Sequence, residues 1–172
     1  MPSRSSRSAL VEQLARREAP QLLAYFTRRV SSPDDAADLV GETLVVLWRR
    51  ERSVPTDPTE ARMWMFGVAQ RVLSQHRRSA KRSRQLGERL AQECRATTVD
   101  GSSDDFEDLR AAIAGLRDPD GEIIRLVYWD GFTLVETARL LGMNAATVRS
   151  RHLRARASLQ AHLEATTAPT PR

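Results

Sequence analysis

The chain has 172 residues, with 27 Lys and Arg against 22 Asp and Glu for a formal net charge of +5, and it is 41% hydrophobic but only 5% aromatic. That length and apolar content suit one domain or two small helical ones and argue against a large sandwich or barrel. A single cysteine, Cys94, excludes an internal disulfide and a cysteine-based zinc site and suits a reducing cytoplasm.

Residues 1–8 read as disordered. Their basic run MPSRSSRS precedes no apolar segment long enough for a signal peptide or a membrane span, so a soluble intracellular protein is expected. Leu10, Leu14, Leu22, Leu23, Phe26 and Val30 then predict one or two helices interrupted near Pro20. Ser32, Pro33 and Asp35 form a helix start of cap, first-position proline and acid in the first turn, and the helix runs to about Arg50. Its apolar positions Ala36, Val40, Leu44 and Leu47 or Trp48 face a core, and Asp38 and Glu42, one turn apart, make an acidic ridge. Periodicity alone reads that ridge as solvated surface. Gly41 costs about 1 kcal/mol relative to alanine, so tertiary packing must hold this helix.

Glu51 to Pro58, with two prolines, is a loop, and a further helix begins near Thr59. It carries Met63, Trp64, Phe66, Val68, Val72 and Leu73 and turns basic from His76. Residues 61–87 contain no Asp or Glu but hold Arg71, Arg77, Arg78, Lys81, Arg82 and Arg84. Aromatics beside arginines can serve single-stranded nucleic acid, although periodicity puts Trp64 in a core. Gly87 to Cys94 continues as a short helix, and the polar residues 95–105 form a flexible linker. The expected architecture is therefore all-α, with two small helical domains at residues 9–94 and 106–165 and a disordered tail at 166–172.

In the second domain Phe106, Leu109, Ile113 and Leu116 open an amphipathic unit that Ile123, Ile124, Val127 and Tyr128 continue after a turn at Asp118 to Gly121. Thr133 and Glu136 then make a capping box. Leu134, Ala138 and Leu141 recur at helical spacing, Gly142 ends that helix, and Asn144 caps the next. This is a helix-turn-helix. In its second helix Val148, His152, Ala155 and Leu159 share one arc, with His152 read as a packed histidine whose nitrogens are satisfied. Opposite lie Ala146, Ser150, Arg154 and Ala157, flanked by Arg149, Arg151 and Arg156. No acid occurs from Thr137 to Leu163. Small residues let such a helix approach base edges, and arginine pairs bidentately with guanine. The plainer alternative is a solvated basic face on a helical hairpin.

Lys81 is the only lysine, so the segregated positive charge is nearly all arginine, which favours forked contacts to a polyanion. No GxSxG, HExxH, phosphate-binding glycine loop or paired-cysteine motif occurs, and His76, His152 and His162 are unclustered. No catalysis, cofactor or metal is expected.

Three motifs in order, DDAADLVGETLVVLW at Asp34 to Trp48, ARMWMFGVAQRVLSQHRR at Ala61 to Arg78, and Leu109 to Leu163 with ATVRSRHLRAR, resemble bacterial RNA polymerase sigma factors. The resemblance, over about Leu10 to Leu163, is to the extracytoplasmic-function (ECF) subfamily of the sigma-seventy family. It implies an N-terminal region 2 domain that binds core polymerase and the minus-ten element. It implies a C-terminal region 4 domain that reads the minus-35 element. Asp38, Leu39 and Glu42 match the helix that docks the clamp of the largest polymerase subunit, and the flap of the second-largest subunit is the implied partner of region 4. Trp64, Gln70, Arg71, Arg77 and Arg78 fall in the minus-ten segment, where non-template bases are captured as the duplex melts. In the recognition helix Arg149, Ser150 and Arg154 match base-contacting positions, with Ala146, Thr147 and Arg151 beside them and Thr147 and Arg151 on phosphate. The resemblance also implies control by an anti-sigma protein that masks both domains. The chain departs from the family pattern at Gln70 and Arg71, where asparagine is usual within an Ala-Arg-Asn segment, at Ala146 for glycine, and at Gly41 and Leu44. His152 and Leu153 reverse the usual order of a core leucine and a polar residue.

Two other readings stand beside this one. A stand-alone helix-turn-helix regulator would dimerise through its N-terminal helices. A nucleic-acid enzyme would need acidic metal ligands or an activated nucleophile near the basic faces, where the chain has no acids.

Overall fold

The computed structural model describes residues 4–90 and 107–167. Every regular element among them is helical, and the chain divides into two compact units, Met1–Ala96 and Thr97–Arg172. The expected linker at 95–105, the last residues of the tail, Cys94 and Phe106 lie outside the described residues.

The first unit packs α1 (Arg4–Thr27), α2 (Pro33–Arg49) and α3 (Pro58–Leu90) against one another. The helix α1 begins inside the segment expected to be disordered. Its first turns are tied down because Arg7 Nη1 donates to the carbonyl of Arg52 at 2.9 Å and to those of Glu51 and Val54 at 3.3 and 3.4 Å, around the 3-10 turn Glu51–Ser53. Nor does Pro20 interrupt it. An interior proline costs about 3 kcal/mol through its missing N–H and its clash with the preceding turn. Here it is exposed to solvent, while Val11, Leu14, Ala15, Leu22, Tyr25 and Phe26 are buried on both sides of it. That shared buried stripe outweighs the local penalty. Tyr25 meets Phe26 and Phe66 edge-on at ring separations of 5.2 and 5.5 Å, and this aromatic cluster joins α1 to α3.

The start of α2 is as expected, with Ser32 Oγ accepting from Asp35 N at 3.3 Å and Pro33 in first position. Its buried residues are Ala36, Leu39, Thr43 and Leu47, so the inner stripe is turned from the expected Val40 and Leu44, which are half-buried, and Trp48 is exposed. Thr43 can occupy the core because its hydroxyl donates to Leu39 O at 2.8 Å. Asp57 Oδ1 accepts from Glu60 N at 2.9 Å and caps α3, which Pro58 opens. The short helix expected after Gly87 is the continuation of α3 to Leu90.

The second unit contains α4 (Glu107–Ala114), α5 (Asp120–Tyr128), α6 (Leu134–Leu141) and α7 (Ala145–Thr167). One core joins Ile113, Ile124 and Ala155 with Leu109, Leu116 and Leu159, and a second joins Ile123, Ala138 and Val148 with Leu134 and Leu141. The helix-turn-helix forms by its local chemistry. Glu136 N donates to Thr133 Oγ1 at 3.2 Å, and Thr133 N donates back to Glu136 Oε2 at 2.8 Å. Gly142 takes the left-handed conformation at φ +62°, letting Met143 N reach Ala138 O at 2.9 Å, and Asn144 Oδ1 accepts from Ala146 N at 2.8 Å.

Gly41 sits exposed inside α2, and a Cβ added there would meet nothing within 4 Å. Gly41→Ala is expected to stabilise the first unit by about 0.5–1 kcal/mol, since only the helix-propensity difference changes. A thermal melt checks this, with a rise of several degrees in Tm expected for a domain of this size. An unchanged or lower Tm would mean that the open space around Gly41 is needed by the fold.

Candidate functional site

The second helix of the helix-turn-helix has one face committed to its domain. Val148 is fully buried, Ala155 and His152 are buried and Leu159 is half-buried. Ala146, Thr147, Arg149, Ser150 and Arg154 are all exposed on the remaining surface, so the structure brings these expected DNA-reading residues together. Arg151 does not join them. Its Nη1 donates to Asp120 Oδ1 at 2.9 Å, with only about a third of its side chain exposed, and this ion pair ties α7 to the first turn of α5. The guanidinium expected on phosphate is spent inside the domain, and nothing local to either residue signals a partner so far away in sequence. Leu153, for which the sequence predicts no DNA-reading role, is 63% exposed on the outward face beside Arg149 and Arg154.

In the first unit, Ala61, Met65, Phe66, Val68, Ala69, Val72 and Leu73 turn α3 inward. Arg71, Arg77 and Arg78 are exposed, and Trp64 and Gln70 are half-buried along the outward side. Trp64, Arg71 and Arg78 stack at i, i+7 and i+14, with Gln70 and Arg77 one position further round. Trp64 is thus at the edge of the core with one side open. On α2, Asp38 and Glu42 are exposed one turn apart, and Val45 and Trp48 extend the same face as exposed apolar side chains. Leu39 is not part of that face. At 1% exposure it points into the core, so it holds α2 in place and offers no surface to a partner.

A groove of about 730 Å³ in the second unit is lined by Leu109, Ile113, Ile124, Tyr128, Trp129 and Leu159 among others, and Tyr128 and Trp129 are exposed on it. Among the described residues no group of three His, Cys, Asp or Glu side chains could hold a metal ion, and no helix is long and apolar enough to cross a membrane.

The family model described as "Sigma-70 region 2" matches residues 14–83 and that described as "Sigma-70, region 4" matches residues 106–159. The RNA polymerase sigma-E factor of Streptomyces avermitilis is 30% identical over 156 residues, covering 89% of this chain and 84% of that protein. The ECF RNA polymerase sigma factor SigK of Mycolicibacterium vanbaalenii is 28% identical over 166 residues, covering 83% and 82%. Among solved structures, the sigma factor RpoE of Bartonella quintana, in complex with the anti-sigma factor NepR, is similar with a TM-score of 0.68 and 26% identity over 89% of this chain and 96% of that one.

His152 is 8% exposed, and its ring stacks on Tyr128 of α5 with centroids 5.6 Å apart and planes 19° apart. Contrary to expectation its nitrogens are not all satisfied, because the buried Nε2 has no hydrogen-bond partner. Burial, and then the charge of Arg156, push its pKa below the usual histidine value of 6.5. The neutral ring is the folded form, so its contribution is complete above the unfolded pKa and is lost as pH falls below it, where the unfolded chain binds the proton more readily. The second unit should therefore lose stability as pH falls through and below the ordinary histidine value of 6.5, with Tm followed by circular dichroism. His152→Leu should be more stable by about 1 kcal/mol, since it removes an unsatisfied buried group, and should show a flatter fall in Tm as the pH drops. Equal slopes in both proteins would assign the acid sensitivity to other groups.

Proposed function

The chain belongs to the sigma-70 family and is an alternative sigma factor of the ECF group, acting in promoter recognition, and from that premise we propose how its two units divide the work. The carrying observation is the outward face of α7, where Arg149, Ser150 and Arg154 stand clear of a buried opposite face. We assign Arg149 and Arg154 to base edges of the minus-35 element with Ser150 between them, and Thr147 to phosphate at the start of the helix. Arg151 acts through Asp120 by positioning α7.

In the first unit, the outward side of α3 is assigned to the minus-ten element. Arg71, Arg77 and Arg78 follow the backbone of the non-template strand, Gln70 offers hydrogen bonds to a base, and the open side of Trp64 offers a stacking surface. Unstacking costs a few kcal/mol per step, and captured bases together with polymerase contacts offset it. No nucleotide chemistry is required, so the protein works by binding alone, in the cytoplasm where polymerase and promoter are found. Asp38 and Glu42 dock the clamp of the largest subunit, and exposed Val45 and Trp48 supply apolar area beside them. The groove at Tyr128 and Trp129 suits the flap of the second-largest subunit. Because the similar Bartonella sigma factor forms a complex with an anti-sigma factor, a protein of that kind is assigned to control this chain as well. A stand-alone regulator would not need the region 2 unit, which disfavours that reading.

Asp38→Arg with Glu42→Arg should abolish co-elution with bacterial core RNA polymerase on a sizing column while leaving the melting profile of the free protein intact, since both residues are exposed. Co-elution retained by the double variant would move the clamp contact off α2. Arg154→Ala should weaken binding of the reconstituted holoenzyme to a minus-35 duplex by about 1–3 kcal/mol, measured by fluorescence anisotropy. An equal loss on scrambled duplex would place Arg154 on phosphate.

A further inference from the structure

The adjacent pair His152 and Leu153 is arranged against the interest of folding. The histidine is inside at 8% exposure with a buried nitrogen lacking a hydrogen-bond partner, and the leucine is outside at 63% exposure. Exchanging the two would bury a leucine and hydrate an imidazole, so both halves of the present arrangement cost stability. Positions that break a local rule with no folding gain mark function.

The surroundings of Leu153 say which function. It lies one turn beyond Arg149, three residues beyond Ser150, next to Arg154, three residues before Arg156 and one turn before Ala157, and every one of these is exposed. The apolar residues of this stretch, Val148, Ala155 and Leu159, point to the domain core. A single exposed leucine is ordinary on a protein surface. This one is the apolar centre of a face otherwise made of small residues and arginines, with no acid anywhere from Thr137 to Leu163. Such a ring of guanidiniums disfavours an apolar protein partner and favours duplex DNA. In the major groove the one apolar feature on a base edge is the 5-methyl group of thymine.

We propose that Leu153 is a specificity-determining residue that reads a thymine methyl group in the upstream promoter element, between the bases contacted by Arg149 and Arg154. This rests on the assignment of α7 to the minus-35 element. The contact needs no hydrogen bond. Leu153 excludes water from the methyl group and so favours thymine over cytosine at one position, and the arginines to either side fix the register in which it does so.

The test uses holoenzyme assembled from the full chain and bacterial core polymerase. Duplexes randomised over the upstream element are selected for binding, and each thymine of the recovered element is then replaced by deoxyuridine, which removes the methyl and nothing else. At one position the parent should lose about fourfold in affinity, the worth of one buried methyl group. Leu153→Ala should bind the unmodified duplex several-fold less tightly and be indifferent to deoxyuridine at that position. Its Tm should match the parent's, because the side chain is exposed. A parent that tolerates deoxyuridine throughout, or a variant that keeps the fourfold drop, overturns the role of Leu153 while leaving α7 as the reader. If no specific element is recovered, or if Arg154→Ala holoenzyme selects the same one with the same affinity, the assignment of α7 fails and the inference falls with it.

Discussion

Val148 sets the orientation on which the second unit depends. It is fully buried and packs with Ile123 of α5 and Ala138 of α6. Basic residues surround α7 on most of its circumference, so the helix has no wide apolar stripe to choose its seat. Its orientation comes instead from a few small contacts near its start. Gly142 turns the chain, Asn144 Oδ1 accepts from Ala146 N, and Val148 N donates to Asn144 O at 3.0 Å as its side chain enters the core. One turn further on, Arg151 reaches Asp120, and two turns further on, Ala155 meets Ile113 and Ile124. With those points fixed, and His152 and Leu159 on the same inward side, Arg149, Ser150, Leu153, Arg154, Arg156 and Ala157 are left exposed.

The first unit meets the same requirement, a basic helix with one dry side, by a related device. Glu18 of α1 is buried and its two oxygens accept from Arg17 Nε at 2.7 Å and Arg62 Nε at 3.2 Å, while the Arg62 guanidinium also lies 4.9 Å from the centre of the Phe66 ring. A carboxylate removed from water requires such partners, and the pairing fixes the first turns of α3 on α1. In each unit an arginine within an acid-free run, Arg62 or Arg151, is paired with an acid from another helix. Arg71, Arg77 and Arg78 of α3 and Arg149, Arg154 and Arg156 of α7 are left exposed. Charge segregation along the sequence thus becomes charge segregation in space, with the matching acids held on other helices.

Much of this was readable beforehand where the cause is local. Helix starts at Ser32 and Thr133 and the turn at Gly142 follow from side chains that bond to amides within a few residues, and the buried stripe of α7 follows from helical spacing. Features resting on distant partners were not readable. Pro20 is carried within α1 because buried residues on either side hold the helix, and Arg7 ties down the first turns of α1 through carbonyls more than forty residues away. The phase of α2 is another such feature. A threonine counts as polar in a hydropathy pattern, but Thr43 bonds to the helix's own backbone and packs as an apolar residue, which draws Leu39 inward. The resemblance placed Leu39 with Asp38 and Glu42 on one docking helix, but Leu39 is 1% exposed while the two acids are exposed. Adjacent helical positions are turned about 100° apart, so neighbours can face a core and a partner respectively.

The same geometry makes residues 152 and 153 the place where stability and recognition compete most directly. A sequence that served the core alone would put its leucine at 152, where Val148 and Ala155 already define the inward side. Placing histidine there is tolerable because Tyr128 covers the ring face, which recovers part of what the unsatisfied nitrogen costs. Tyr128 is itself half in solvent and lines the apolar groove with Trp129. The histidine therefore connects the core side of the recognition helix to the surface assigned to polymerase, through a ring whose protonation is opposed by burial and by Arg156. The leucine beside it is turned about 100° away, out of the core and toward Arg149 and Arg154. The order of these two residues thus sets what α7 presents both to its core and to its outer face.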